Sequence, residues 1–112
     1  MITAAEAKKI ATKVYNEQVK AEEGKCICFI EKVIIAYAAA GDFEICLNLS
    51  KEGYLQDHKS ENLYGQSFPQ IFKYIEKMLA DIQKDLGYEV LLSREGNAVG
   101  GKIYQIHISF KT

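Results

Sequence analysis

The chain has 112 residues, of which 48% are hydrophobic, and its 14 basic and 15 acidic side chains give a formal net charge of −1. This length fits a single domain, residues 1–112, large enough to bury a core without disulfide bonds. The balanced charge offers no overall attraction to phosphate backbones or anionic lipid, so neither nucleic-acid nor membrane binding is expected. The longest apolar run is also far shorter than the roughly 20 residues that span a bilayer.

The cysteines indicate a reducing environment. Cys26, Cys28 and Cys46 are an odd number, and no signal-peptide pattern precedes them. We therefore expect free thiols and a cytoplasmic location. On a helix, Cys26 and Cys28 would point about 200° apart and could not share a metal ion. The sequence predicts neither a metal site nor a cofactor.

Two helices are predicted before the first strand. Thr3 and Glu6 form a capping box that begins the first, a surface helix, and Gly24 is its expected end. Its moderate apolar stripe consists of Ala7, Ile10, Ala11, Val14 and Ala21. The second helix covers residues 26–40, is apolar on nearly every side, and ends at Gly41. Because a small sheet cannot cover so much apolar surface, we expect a homodimer or a larger closed oligomer.

The chain then alternates between apolar and polar residues, which predicts a strand at residues 43–49. The connection that follows, residues 50–66, is polar and has no sustained period. Connections of this length are usually functional or mobile, or contain a short helix, so its conformation stays open.

A clear amphipathic helix comes next. Ser67 and Gln70 form a second capping box, and Gly87 ends the helix. Its apolar residues recur at spacings of three and four: Phe68, Ile71, Phe72, Ile75, Met78, Leu79, Ile82 and Leu86. Residues 88–93 and 102–110 predict two strands, joined by a glycine-rich hairpin loop at residues 94–101.

The predicted order is α-α-β-α-β-β, an α+β fold with a small three-stranded, mainly antiparallel sheet packed on helices. One face of the sheet is apolar: Phe43, Ile45, Leu47, Tyr88, Val90, Leu92, Tyr104, Ile106, Ile108 and Phe110. The other is mostly polar: Glu44, Cys46, Asn48, Glu89, Leu91, Ser93, Gln105, His107 and Ser109. A sheet with one solvated face has this pattern, and so has a ligand platform. No aromatic residue is expected on the polar face, which disfavours base stacking.

Two regions are candidate binding sites. The polar face contributes Glu44, Asn48, Gln105 and His107. The connection contributes Tyr54, Asp57, His58 and Tyr64. This mixture of aromatic and charged groups is typical of contact loops, although a solvated loop can have the same composition. His107 beside Glu44 or Glu89 could serve acid-base catalysis, but a strand histidine among polar neighbours is usually only solvated. No pattern of nucleophile and base is present, so no catalytic residue is assigned.

With helices ending in AAAGDFEI and DLGYEV and a closing strand IYQIHISF, the chain resembles in layout small α+β proteins encoded in phage and prophage genomes. The resemblance implies a small accessory protein that acts by binding a host protein or a small ligand, often as an oligomer. It assigns no functional residue. The alternatives are a small enzyme that uses His107 with Glu44 or Glu89, and a structural subunit that only assembles.

Overall fold

The computed structural model describes residues 1–57, 65–94 and 102–111, with the backbone alone at residues 102 and 103. Within these ranges the chain forms two α-helices, one 3-10 turn and five strands. In chain order they are α1 (Ala4–Ala39), β1 (Glu44–Ser50), β2 (Tyr54–Asp57), β3 (Gly65–Ser67), the 3-10 turn (Ile71–Lys73), α2 (Ile75–Leu86), β4 (Glu89–Arg94) and β5 (Lys102–Ser109).

The strands form one sheet in the spatial order β3-β2-β1-β5-β4, and every neighbouring pair is antiparallel. The α+β class is confirmed, but the predicted three-stranded sheet and the order α-α-β-α-β-β are wrong. The three predicted strands correspond to β1, β4 and β5. β2 arises from the connection at residues 50–66, and β3 from the end of that connection together with Ser67. Strands of four and three residues are too short to show a period of two among polar neighbours.

The two predicted N-terminal helices are one helix. α1 has 36 residues, which gives a length of about 54 Å. Gly24 does not end it, because a glycine inside a helix costs only about 1 kcal/mol relative to alanine, and good helix formers lie on both sides. The predicted start is confirmed, since the Glu6 N–H donates to the Thr3 hydroxyl at 3.2 Å. Gly41, with a φ of 87°, follows the last turn.

The C-terminal half of α1 packs on the sheet, whereas the N-terminal part projects away from it. The buried residues that the structure assigns to α1 begin at Cys26, and residues 1–18 are all exposed. The molecule measures 60 × 34 × 23 Å and has a radius of gyration of 16.3 Å, against about 13 Å for a compact domain of similar size. We call residues 4–14 the helical arm.

The core lies between α1, α2 and one face of the sheet. The two central strands contribute side chains that are at most 2% exposed: Ile45, Leu47, Leu49, Ile106 and Ile108. The predicted apolar face is therefore confirmed at its centre. Phe43 was predicted to belong to it and does not, because it precedes β1 at the end of the sheet and is 59% exposed. The remaining predicted residues are partly buried at the margin of the core: Tyr88, Val90, Leu92, Tyr104 and Phe110.

α2 begins later than predicted. Ser67 lies in β3, and the predicted capping box with Gln70 is not formed. Instead, the Gln70 N–H donates to the carboxylate of Glu22 on α1, at 3.0 Å from Oε2. The amphipathic pattern of α2 is confirmed by its buried residues, Ile75, Met78, Leu79 and Ile82. Gly87 ends the helix as predicted, with a φ of 79°.

Candidate functional site

The side of the sheet that faces away from the helices is the outer face. β1 supplies Glu44, Cys46 and Asn48 to it, and β5 supplies Gln105, His107 and Ser109. α1 packs against β1 and α2 against β4, both on the core side. Neither of these helices therefore covers the outer face. The prediction that the polar residues of the three predicted strands share one face is confirmed by the strand register.

Four predicted binding residues, Glu44, Asn48, Gln105 and His107, lie on the outer face. Tyr54 joins them, although it was predicted in a loop. Its neighbour Leu55 opposes Leu49 in the core, so the side chain of Tyr54 must point to the outer face. The structure thus brings five of the eight predicted residues onto one surface.

Tyr54 changes the chemistry expected of this surface. No aromatic residue was predicted there, because β2 was not recognised as a strand. The phenol ring is exposed and lies beside Gly65 of β3, where a Cβ would collide with its hydroxyl. The ring can lie along the sheet because Gly65 has no side chain. The outer face therefore has an aromatic residue at its β2 end.

His107 is the direct cross-strand neighbour of Cys46 on β1 and of Leu91 on β4. The Cys46 Sγ lies 3.6 Å from His107 Nε2. Depending on the imidazole tautomer, either the thiol donates to Nε2 or the Nε2–H donates to sulfur. This pair was not predicted, because it depends on the register between strands that are 61 residues apart.

The predicted catalytic partners of His107 are placed one step further along the sheet. Glu44 and Glu89 both lie opposite Ser109, in the next row of the outer face. Glu44 on β1 and Glu89 on β4 are therefore diagonal neighbours of His107 and do not lie directly opposite it. The arrangement therefore offers a thiol, not a carboxylate, as the nearest cross-strand partner of the imidazole.

One predicted binding residue, Asp57, does not lie on this surface. Asp57 lies opposite Leu47 on the core face and is buried. Its Oδ2 accepts a hydrogen bond from the Tyr37 hydroxyl, which links β2 to α1. A buried carboxylate needs such partners, so the place of Asp57 in the fold is explained by packing. His58 and Tyr64 lie outside the described residues.

A second polar cluster connects α1 to the segment before α2. Glu22 accepts a hydrogen bond from the Tyr74 hydroxyl at 2.7 Å, in addition to the one from Gln70 N–H. Cys26 lies one turn from Glu22 and has no exposed surface. Burial, together with the charge of Glu22, raises the pKa of the Cys26 thiol to about 12. Burial and the bond to Glu22 likewise raise the pKa of Tyr74.

This cluster was not predicted from the sequence, because Glu22 was assigned to a surface helix. Glu22 and Cys26 are four residues apart, so on one continuous helix they lie on the same face. This spacing is the signal that could have placed both residues on the core side. With an uncharged thiol and a carboxylate occupied by two donors, the cluster holds elements together. It does not have the exposed, ionised thiol that nucleophilic chemistry requires.

We expect the raised pKa of Cys26 to make the domain less stable at alkaline pH. The unfolded thiol, with a pKa near 9.0, loses its proton first. The contribution of Cys26 to the free energy of unfolding is complete below pH 9. It is lost as the pH rises towards about 12, the pKa of this thiol in the folded protein. From pH 9 to about 10.5 the contribution of Cys26 should fall by about 1.5 kcal/mol.

Urea unfolding of the parent and of Cys26→Ala at both pH values measures this change. The loss between the two pH values should be smaller in Cys26→Ala by that amount. Cys28→Ala, which removes an exposed thiol, is the matched control and should lose as much as the parent. Equal losses in parent and Cys26→Ala would contradict the prediction.

In the described ranges, no three His, Cys, Asp or Glu side chains come together as metal ligands. No helix within them has both the length and the apolar character needed to cross a membrane. Cys26, Cys28 and Cys46 are free thiols. Comparisons with protein families, with curated proteins and with solved structures each gave no match. The layout resemblance to phage-encoded proteins therefore stays a prediction.

Proposed function

We propose that the chain is a small non-enzymatic binding protein whose outer face contacts a protein partner. The observation that supports this most is the composition of a sheet face that neither α1 nor α2 covers. Tyr54 and Leu91, the latter 62% exposed, lie there among hydrogen-bonding side chains. Aromatic and apolar anchors surrounded by polar groups are the usual composition of a protein interface.

A protein partner fits this face better than a small molecule does. Small ligands bind in concave pockets that enclose most of their surface. Four cavities that described residues line are on the helix side: one beside the helical arm, one between α1 and β3, one between α2 and β4, and one between α1 and α2. The resemblance to phage accessory proteins is what supports a host protein as the partner.

The small-enzyme alternative has one observation in its favour, the contact between Cys46 and His107. A thiol next to an imidazole is the arrangement of a nucleophile with its base. Catalysis would also need a group that orients the imidazole and a cleft for the substrate. Glu44 and Glu89 are opposite Ser109 instead. We therefore place binding before catalysis.

The test compares capture of a partner by the parent and by the double variant Glu44→Ala with His107→Ala. These side chains lie on the outer face, so the variant should unfold within about 0.5 kcal/mol of the parent. It should also capture much less of any protein that the parent retains from a lysate of the native host. Quantitative mass spectrometry of the eluates measures the ratio.

The matched control is Asp81→Ala with Gln83→Ala, which removes one carboxylate and one polar group from two exposed positions of α2. It should capture as much as the parent. Full capture by a folded outer-face variant would place the binding site elsewhere. Unfolding of that variant would instead show that the outer face is covered and not free to bind.

A further inference from the structure

β4 is an edge strand without the usual protection against pairing. Among the described strands it ends the sheet, with β5 on one side and no strand on the other. Edge strands are commonly kept from pairing by shortness, proline, lysine or a bulge. β3, at the opposite edge, has three residues, whereas β4 has six, contains neither proline nor lysine, and pairs with β5 in an unbroken register. β4 is therefore a template for a further strand.

The direction of the backbone hydrogen bonds in β4 follows from one bond at the end of β5. The Phe110 N–H donates to the Phe43 carbonyl at 2.9 Å, on the β1 side. Backbone groups of successive residues point to alternate sides of a strand, so those of His107, three positions earlier, point to β4. His107 is paired there with Leu91. The backbone groups of Leu91 therefore bond to β5, and those of its two neighbours in β4 point to the free edge.

These neighbours, Val90 and Leu92, each offer one N–H donor and one carbonyl acceptor at the free edge. Their side chains are on the core side of the sheet, since they lie opposite Ile108 and Ile106, and both are half-buried. They form one wall of a groove of about 260 Å³, and α2 forms the other with Glu76, Leu79, Ala80 and Gln83. A strand added to β4 would place every second side chain along this groove.

The alternation of side chains limits how a second β4 could be that strand. Residues on the core side must lie opposite residues on the core side, so a slip by one residue is excluded. An antiparallel pair with its two-fold axis at Leu91 meets this condition. Val90 then lies opposite Leu92 of the second copy, with their backbone groups bonded, and the two Leu91 side chains meet on the outer side. Leu91 is 62% exposed in the single chain.

The flanking residues also match in this register. Glu89 lies opposite Ser93 of the second copy, whose hydroxyl can donate to the carboxylate. Tyr88 lies opposite Arg94, and a guanidinium beside a phenol ring is a favourable pair. Moving the axis by one residue in either direction would set a charged side chain, Glu89 or Arg94, against an apolar one. The sequence of β4 is therefore complementary to itself around Leu91.

α2 has side chains that suit the same two-fold axis. The axis is perpendicular to the sheet, so it places the two copies of α2 side by side and antiparallel. Ala80 is in the middle of the residues that line the groove and has the smallest side chain among them. Glu76 of one copy then lies towards Gln83 of the other, whose amide can donate to the carboxylate. No pair of like charges is brought together by these groove residues.

We infer that β4 pairs with β4 of a second copy of this chain, antiparallel and around a two-fold axis at Leu91. The two five-stranded sheets become one continuous sheet, and Val90 and Leu92 of each copy cover the groove of the other. One contact satisfies both edges, as a closed isologous interface requires. The inference goes beyond the proposed function, because the free backbone groups and the groove lie beside the outer face and the tests below measure assembly alone.

Light scattering and sedimentation measure the dimer. The parent should be dimeric at high micromolar concentration. Val90→Pro removes an N–H that points away from β5, so it breaks no bond inside one copy. It should raise the dimer dissociation constant at least about tenfold, because each copy loses one edge hydrogen bond. Val90→Ala keeps that N–H and should raise the constant less. Circular dichroism should show both variants folded.

Leu91→Glu tests the same contact through an exposed side chain, and it decides the question if the proline variant unfolds. Two carboxylates would meet at the axis, so this variant should be monomeric, and Leu91→Lys should be monomeric for the same reason. Mixing the two variants should restore a dimer, because opposite charges then meet. Ile35→Glu changes an α1 residue of similar exposure, 60% against 62%, and should stay dimeric as the matched control.

Disulfide trapping tests the register. The two copies of residue 91 would form a non-hydrogen-bonded pair with Cα atoms about 4.5 Å apart, so mild oxidation of Leu91→Cys should join the copies. Ser93→Cys should not join them, since its two copies would lie about 13 Å apart, beyond the reach of a disulfide. A monomeric parent, a dimer unaffected by Leu91→Glu, or a bond between two copies of Ser93→Cys would each overturn the inference.

Discussion

Leu47→Ala should reduce the free energy of unfolding by about 2 to 5 kcal/mol. Leu47 lies in the central strand β1, is 0% exposed, and is paired with Ile106 on one side and Asp57 on the other. Truncation removes buried methyl groups and leaves a cavity in a core that both helices and the sheet surround. Urea unfolding followed by circular dichroism measures the loss.

Phe43→Ala is the matched control for this loss. Phe43 was predicted on the same face as Leu47 but is exposed. Truncating Phe43 to alanine removes more apolar atoms than truncating Leu47 does. Its substitution should change stability by no more than about 0.5 kcal/mol. A loss at Phe43 that equals the loss at Leu47 would show that the end of the sheet is covered, for instance in an assembly.

The central part of the fold was predictable because its signals are long. β1 and β5 have seven and eight residues, enough for apolar and polar side chains to alternate several times. α2 has a stripe over its full length and a glycine at its end. Each of these elements buries one face against the core over several turns or residue pairs. The apolar residues therefore recur with a regular period that can be read from the sequence.

β2, β3 and the continuity of α1 were not predicted, because their sequence signals are short or conflict with each other. β2 and β3 are held by pairing with β1 and with each other, and a strand of three or four residues shows no period. Gly24 has the local appearance of a helix end, yet the cost of a glycine is small against the packing of the helix that continues past it. Local preference was overridden by tertiary contact in both cases.

The candidate site was half predictable for the same reason. The face that carries Glu44, Asn48, Gln105 and His107 follows from alternation alone. The neighbours of each residue do not, because they depend on register between distant strands. The Cys46–His107 contact and the arrival of Tyr54 on the outer face are consequences of that register.

The other large effect is expected at Gly53, in the turn between β1 and β2. Its φ is 86°, a region that glycine enters freely and alanine enters at a cost of about 1 to 2 kcal/mol. A Cβ at this position would also collide with the carbonyl oxygen of Phe68. That carbonyl belongs to the backbone and cannot rotate away, because the Phe68 N–H donates to the Gly53 carbonyl at 2.8 Å. We expect Gly53→Ala to cost at least about 3 kcal/mol.

Gly41→Ala separates the two causes. Gly41 has a φ of 87°, nearly the same as Gly53, but nothing lies within 4 Å of the position its Cβ would take. It should therefore show the backbone cost alone, about 1 kcal/mol after the entropy that alanine removes from the unfolded chain. The difference between the two variants in urea unfolding is then the cost of separating the β1–β2 turn from Phe68. Equal losses would mean that the turn can move away from Phe68 freely, and that β2 and β3 are held to the core by other contacts.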